Sequence, residues 1–323
     1  MGAAGAFRYW WIWFAALPLA AWALIRSLGL EGGSSLVPLL AFTPYAAIAA
    51  LLVFGVAIAL RNWAAAAVAV LATFGLAAAV LPRAIGDDTV SARGHETLNV
   101  LSANIHRGTS DPEALVALVE RFHPDLLSIQ ELTPPYVREL RRAGMNRLLP
   151  NTVISVTPGK PKRPGRGIYS RLPLTRLGDF GPFGALHRGV RGVRVRLPDG
   201  RFVRIVDVHP HTPKFGHIDE WRRSLEGLPS AGYGAPWILV GDFNATVDQA
   251  ELRDVIDRGY RDAAGVAGKG LEPTFPREGW GGLGPFITID HVLADRRLGI
   301  VEYSVAEQPG SDHRAIHAVL ALP

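Results

Sequence analysis

Residues 237–244 read WILVGDFN: four apolar residues, a glycine, then aspartate, phenylalanine and asparagine. An apolar run this short fits a buried strand, and it turns polar at Gly241-Asp242. The same grammar recurs on both sides. Thr97–Asn104 (TLNVLSAN) reads as a buried strand with a polar end, Asp125–Gln130 (DLLSIQ) as a second ending at Glu131, and Phe202–Val208 (FVRIVDV) runs into His209. Gly189–Leu197 alternates V-x-V-x-L, Phe286–Leu293 encloses Asp290, and Ala315–Leu320 follows Asp312-His313. Between the first two strands, Asp111–Phe122 places Leu115, Leu118, Val119 and Phe122 on one helical face behind an Asp-Pro start. Strands that stop together at one sheet edge bring their terminal polar residues together, however distant in sequence.

Charge divides the chain. Of its 34 basic and 29 acidic residues, only five (Arg8, Arg26, Arg61, Arg83, Arg93) and three (Glu31, Asp87, Asp88) precede Glu96. Three apolar runs fill that segment: between Arg8 and Arg26, from Leu36 to Leu60, and from Trp63 to Leu81. Each is near the about 20 residues a helix needs to span a bilayer. Trp10, Trp11, Trp13 and Trp63 sit near the run ends, where aromatic rings favour the interface. The expected organisation is a membrane anchor of three transmembrane helices over 1–83, a polar linker over 84–96, and one catalytic domain over 97–323. The sparse arginines favour an N-terminus inside, which places that domain outside the cell membrane. The chain has no cysteine, so disulfides, thiolate metal sites and cysteine nucleophiles are excluded.

Five segments carry candidate chemistry: SANIH (102–106), SIQE (128–131), DVHPH (207–211), GDFN (241–244), and IDHVL (289–293) with SDH (311–313). Glu131 and Asp312 offer carboxylate oxygens and Asn104 a neutral one; with no soft donor present, Mg²⁺ or Mn²⁺ is favoured. Asp242 and His313 can move protons. His209 and Asn244 can donate to oxygens that gain charge at phosphorus. GDFN alone also reads as a turn, and SDH alone as a helix cap or turn. His106, His123, His187, His217 and His317 read as surface or loop residues. The spacing of His209, His211 and His217 matches no standard zinc pair.

In this order the segments resemble the endonuclease/exonuclease/phosphatase superfamily over about 97–320, with GDFN and SDH the most specific. The three-span anchor resembles the bacterial VanJ-like and YafD-like members, of which the VanJ type is associated with glycopeptide resistance. The resemblance implies an α/β fold, a four-layer α/β sandwich of two packed β-sheets flanked by helices. It implies Glu131 as principal metal ligand, assisted by Asn104 and Asp312. It pairs His313 with Asp290, either to activate water or to stabilise phosphoryl charge. Asp242 orients or deprotonates the water, Asn244 holds it or the phosphate, and His209 donates to a non-bridging oxygen. His209 is followed here by proline and a second histidine, so His211 is either an extra substrate contact or a loop residue.

From Pro158 to Arg196 ten basic residues face one acidic residue, Asp179. Such a stretch attracts polyanions, whether DNA or phosphorylated head groups, with Arg166 a candidate substrate contact. Few aromatics interleave it, against a nucleic-acid track. The expected partners are membrane lipids and a phosphorylated lipid-linked substrate, since an anchor concentrates the site at the bilayer; the sequence implies no protein partner. A membrane-anchored extracytoplasmic nuclease and a non-catalytic phosphate-binding module are the alternatives.

Overall fold

The computed structural model describes residues 9–31, 36–87, 89–157, 159, 163–177, 191–214, 216–277 and 286–323. Its N-terminal part comprises α1 (Trp13–Leu28), α2 (Val37–Leu40), α3 (Thr43–Ala59) and α4 (Trp63–Ile85). Two helical stretches, Trp10–Leu28 and Trp63–Ile85, are long and apolar enough to cross a membrane, while α3 has 17 residues. The expected second span is thus not one helix. It breaks between α2 and α3, where Pro38 and Pro44 each occupy a first turn. Proline suits that position and cannot extend a helix arriving from upstream.

The packing of these helices is inside out by the standard of a water-soluble core. Alanines face inward, with Ala16, Ala50, Ala57, Ala65 and Ala72 at most 2% exposed, while Leu24, Leu52, Leu71 and Phe74 are 60–72% exposed. Small residues let helix backbones approach closely, an arrangement suited to surroundings as apolar as the leucines themselves.

The remainder is a sandwich. One sheet has the order β11 (Gly299–Ala306), β12 (Ala315–Ala321), β1 (Thr97–Asn104), β2 (Leu126–Leu132), β4 (Gly165–Ser170), β3 (Asn151–Ser155). The other runs β5 (Leu174–Arg176), β6 (Arg191–Arg196), β7 (Phe202–Val208), β8 (Trp237–Asp242), β10 (Asp290–Asp295), β9 (Tyr260–Asp262). Alternation assigns every residue a face. Leu98, Val100, Leu126, Ile205, Ile238 and Val240 fill the space between the sheets. Leu101, Leu127 and Ile129 face outward onto α5 (Pro112–Phe122) and α6 (Pro134–Arg142). Val206, Val208 and Leu239 face α7 (Ile218–Glu226) and α8 (Ala250–Asp257). Asp111 caps α5 by accepting from the amides of Glu113 and Ala114.

Several sequence expectations shift. Phe286–Ile289 is not strand; β10 begins at Asp290, and the approach carries only an isolated bridge between Phe275 and Ile287. Gly165–Gly167, within the basic stretch, opens β4, because it pairs with both β2 and β3. His317, read as a surface residue, is buried in β12 with its ring 4.5 Å from that of Phe122. Lys160, Lys162, Asp179, His187 and Arg188 lie outside the described residues.

The 84–96 linker is pinned rather than free. Helix α4 continues through Ile85, Asp87 N donates to Val266 O, and Val90 N donates to Ile300 O. A polar seam joins the helices to the sandwich. Asp248 meets Arg83 at 2.7 Å and Arg26 at 3.5 Å, the Ala250 amide donates to Glu31 Oε1, and Gln249 donates to Val37 O. Tyr45 donates to Phe286 O from the start of α3. The C-terminal ends of α1 and α4 and the N-terminal end of α3 therefore all meet the sandwich. Their last-turn arginines also complement the helix dipoles.

Gly241 is required where β8 meets β7. At φ 139°, an added Cβ would lie 2.3 Å from Val208 O and 2.9 Å from Gln130 Nε2. Gly241→Ala is expected to destabilise the fold by about 1–3 kcal/mol, as overpacking of a close backbone contact does, read by chemical denaturation. An unchanged midpoint would refute the close approach.

Candidate active site

Strands β1 and β2 run parallel, as do β7 and β8, while β12 and β10 are antiparallel to β1 and β8. The C-terminal ends of four strands and the starts of two thus gather at one edge of the sandwich. On the inner face the side chains change from apolar to polar as that edge nears: Val100 to Ser102 to Asn104, Leu126 to Ser128 to Gln130, Ile205 to Asp207, and Val240 to Asp242. Polar groups buried this way must satisfy one another. Gln130 Nε2 donates to Ser128 Oγ at 3.0 Å and to Asp207 Oδ1 at 2.8 Å, and Ser102 donates to Gln130 Oε1. Burial pushes the Asp207 carboxyl up to about 6. This network forms a rigid floor beneath the cavity.

Local turns set the side chains above it. Asn104 Oδ1 accepts from the His106 amide at 3.0 Å, and Asn104 Nδ2 donates to Asp242 Oδ2 at 3.0 Å. Asp242 Oδ1 accepts from the Asn244 amide at 2.8 Å, and Asn244 Nδ2 donates to Pro210 O. Ser311 Oγ donates to Asn104 O and accepts from His313 N, which ties the SDH segment to the end of β1. Glu131 does not simply end β2. It sits at a bulge between Gln130 and Leu132 with φ 58°, so an extra residue re-aims its carboxylate into the cavity. Of the six non-glycine residues with positive φ among the described residues, four (His106, Arg107, Glu131, Asn244) border this cavity. Strain of that kind, costing about 1–3 kcal/mol at each position, gathers where geometry serves a function.

Two chemical units follow. The first is a buried chain: Asp290 Oδ2 lies 2.9 Å from His313 Nδ1, and His313 Nε2 lies 3.7 Å from Asp242 Oδ2. Burial opposes charge on His313, but Asp290 and Asp242 overcome it and raise the imidazolium to about 10. Burial raises the Asp242 carboxyl to about 7, although His313 opposes the shift. His209 Nε2 lies 3.6 Å from both Glu131 and Asp242, and burial, with Arg166, drives its pKa well down. His209 is therefore a neutral donor.

The second unit is a pair of carboxylate oxygens without hydrogen-bond partners, Glu131 Oε2 and Asp312 Oδ1, both buried. Unpaired anionic oxygens fit a hard divalent cation. Asp242, Asp290 and His313 also lie close enough together to hold an ion, yet the Asp242 oxygens already accept from Asn104 and Asn244, and His313 Nδ1 is paired with Asp290 Oδ2. The donor set Glu131, Asp312 and Asn104 is the better fit, with Asn104 Oδ1 retaining one lone pair.

Of the sequence-predicted residues, Glu131, His209, Asp242, Asn244, Asp312 and His313 line this cavity; Asn104 is buried behind Asp242, to which it donates, and Asp290 lies behind His313. Two lie elsewhere. Arg166 lies in β4 and fastens the carbonyls of Asp207 and His209, so it positions β7 rather than reaching the cavity. His211 is exposed, 3.8 Å from Glu220 and stacked on His217. The sequence reading missed His106, 3.5 Å from Asp312, and Arg107, 3.7 Å from Glu131. Both follow Asn104 directly, and that adjacency was the available signal. It also missed Lys214, on the cavity wall, and Phe275, whose ring lies 4.8 Å from that of His313.

The sequence profile of the Endonuclease/Exonuclease/phosphatase family matches residues 97–313. Among solved structures, an endonuclease/exonuclease/phosphatase from Beutenbergia cavernae is 19% identical at a TM-score of 0.50, covering 70% of this chain and 72% of that one. TDP2 of D. rerio, complexed with single-strand DNA product, is 16% identical at 0.51, covering 70% and 99%. A mannosyl-6-phosphatase of Bacteroides thetaiotaomicron is 16% identical at 0.50, covering 70% and 100%. At these identities the likeness is one of fold. No curated protein matches the sequence.

Proposed function

The chain belongs to the endonuclease/exonuclease/phosphatase family, and on that premise we propose that it is a Mg²⁺- or Mn²⁺-dependent phosphoesterase acting at a membrane surface on a lipid-linked phosphate ester or pyrophosphate. One observation carries the chemistry: Glu131 and Asp312 oxygens that no hydrogen bond satisfies share a cavity with the buried Asp242–His313–Asp290 chain. A cation held by Glu131, Asp312 and Asn104 would supply Lewis-acid stabilisation of charge on the phosphoryl oxygens. Asp242 accepts a proton from the attacking water as its oxygen bonds to phosphorus. Asn244 orients that water or an adjacent phosphoryl oxygen. His313, held charged by Asp290, and neutral His209 face the phosphoryl oxygens as charge grows there. The bond from phosphorus to the leaving oxygen breaks, and that oxygen takes up a proton.

The membrane reading rests on the inside-out helices, whose exposed leucines match lipid, and on the sandwich meeting one end of them. Three helices crossing a multi-pass anchor would put the N-terminus and the catalytic domain on opposite faces, with the domain extracytoplasmic. An enzyme fixed this way meets membrane-bound phosphates at high effective concentration.

Full-length protein in lipid nanodiscs with Mg²⁺ is expected to release phosphate from a polyprenyl pyrophosphate or a phospholipid, and to stop in EDTA. Plasmid nicking without lipid turnover would establish the nuclease reading. Binding of these ligands without any turnover would leave a phosphate-binding module. Turnover unaffected by EDTA would overturn the metal assignment.

pH dependence follows from the two shifted groups. Asp242 accepts a proton only when ionised, and its raised pKa makes kcat/KM fall as pH drops through about 7. His313 contributes only while protonated, so activity falls again as pH rises through about 10. A rate profile flat from pH 5 to 7 would exclude this role for Asp242.

A further inference from the structure

The cavity above Glu131 and His313 has a volume of about 740 Å³, in the range that encloses a whole small organic ligand. That is far more than a phosphoryl group and a water need. Part of its wall comes from outside the sandwich. Pro38, Ala41 and Phe42, in the connection between α1 and α3, line it together with Phe275, Ile287 and Ile289. This apolar lining reaches the catalytic centre, because the Phe275 ring lies against His313. The same connection also presents Leu36 and Leu39, which are 38% and 49% exposed. The connection is held in place by Gln249 donating to Val37 O, by Glu31 accepting from Ala250 N, and by Tyr45 donating to Phe286 O. Wall and site therefore form one unit.

Resting on the phosphoesterase reading above, we infer that the N-terminal helices supply the specificity wall of the active site, and that the group esterified to the scissile phosphoryl is a single apolar chain lying against Phe42, Ala41 and Pro38. Charge favours this occupant. Beyond the histidines, the cations on the cavity lining among the described residues are Arg107 and Lys214, enough for one phosphoryl or pyrophosphoryl group but not a track for a polynucleotide backbone. The apolar residues offer nothing to a sugar, whose hydroxyls would lose their hydrogen bonds against them. Phe42 is half-buried in the free protein and gains cover when a chain packs on it.

The test is a series of linear alkyl pyrophosphates and alkyl phosphates of two to eight carbons, all monomeric in solution, assayed with full-length protein and Mg²⁺ for phosphate release. Short chains remove partitioning into micelles as a cause of any trend. Wild-type kcat/KM is expected to rise at least tenfold along the series, with about fourfold per methylene as the ceiling set by full burial. Phe42→Asp should flatten the rise, Phe42→Ala should weaken it, and Phe42→Leu should restore most of it. Ile287→Asp, on the sandwich side of the wall, provides an independent check should Phe42→Asp fail to fold. Turnover with no chain-length dependence, or a full dependence surviving in both aspartate variants, would overturn this inference while leaving the phosphoesterase reading intact. Plasmid cleavage with no turnover of any alkyl compound would instead overturn both.

Discussion

Glu131→Ala is expected to lower metal-dependent kcat by about 10³-fold, the scale of several kcal/mol of Lewis-acid stabilisation, while leaving the fold as stable as before. The two halves of that expectation have separate causes. Glu131 Oε2 is buried with no hydrogen-bond partner; Arg107, the cation beside it, lies 3.7 Å away, and neutral His209 lies 3.6 Å from the other oxygen, Oε1. A carboxylate so placed contributes little to folding and loses little when removed. Its backbone, at φ 58°, is strained with any side chain. Glu131→Gly should therefore be more stable than Glu131→Ala by about 1 kcal/mol, because glycine adopts that conformation freely. Titration of Mn²⁺ by calorimetry should show weakened binding in both variants and in Glu131→Gln, which keeps the shape and loses the charge. Wild-type affinity in all three would move the metal away from Glu131.

His313→Ala is expected to behave in the opposite way: loss of activity of about 10²–10⁴-fold, Mn²⁺ affinity retained, and a large loss of stability. His313 is the one cation between two buried carboxylates, 2.9 Å from Asp290 and 3.7 Å from Asp242. Removing one partner of a buried charge set costs about 3–5 kcal/mol, because the remaining charges are left uncompensated. The loss should grow as pH rises through the pKa of Asp242 and shrink when that group is protonated. A second substitution, Asp290→Asn, should recover part of the stability and none of the activity. Denaturation midpoints and kinetics of the two single variants and the double variant measure that coupling directly. Additive losses would show that Asp290 and His313 do not act as a pair.

The strands that carry the site were readable because burial writes itself as uninterrupted apolar runs. TLNVLSAN, FVRIVDV and WILVGD fold as β1, β7 and β8 within a residue or two of their sequence limits. Their polar final residues do converge at one edge. What the sequence concealed depends on distance in space. Nothing in the residues around Glu131 announces a bulge, since the extra residue is defined only by what lies opposite in β4. Arg166 sits in a basic stretch that suggested an anion, yet its guanidinium is spent on the backbone of β7. The break between α2 and α3 falls at Pro38 and Pro44, which the run's hydrophobicity alone does not register. The place of Phe42 in the cavity had no local signal at all, because its neighbours there come from two hundred and more positions downstream.

The polar seam around Asp248 has an evolutionary corollary. A tether joined to its enzyme by a loose linker can be exchanged for any other tether, and gene fusion does so readily. Here Asp248 is 1% exposed, and its charge is balanced from the helical side by Arg83 and Arg26. A sandwich transferred without those helices would lose the two arginines that neutralise Asp248, and helices transferred without Asp248 would lose the anion that pairs with Arg83 and Arg26. A tether exchanged at this seam must bring its own cations to Asp248.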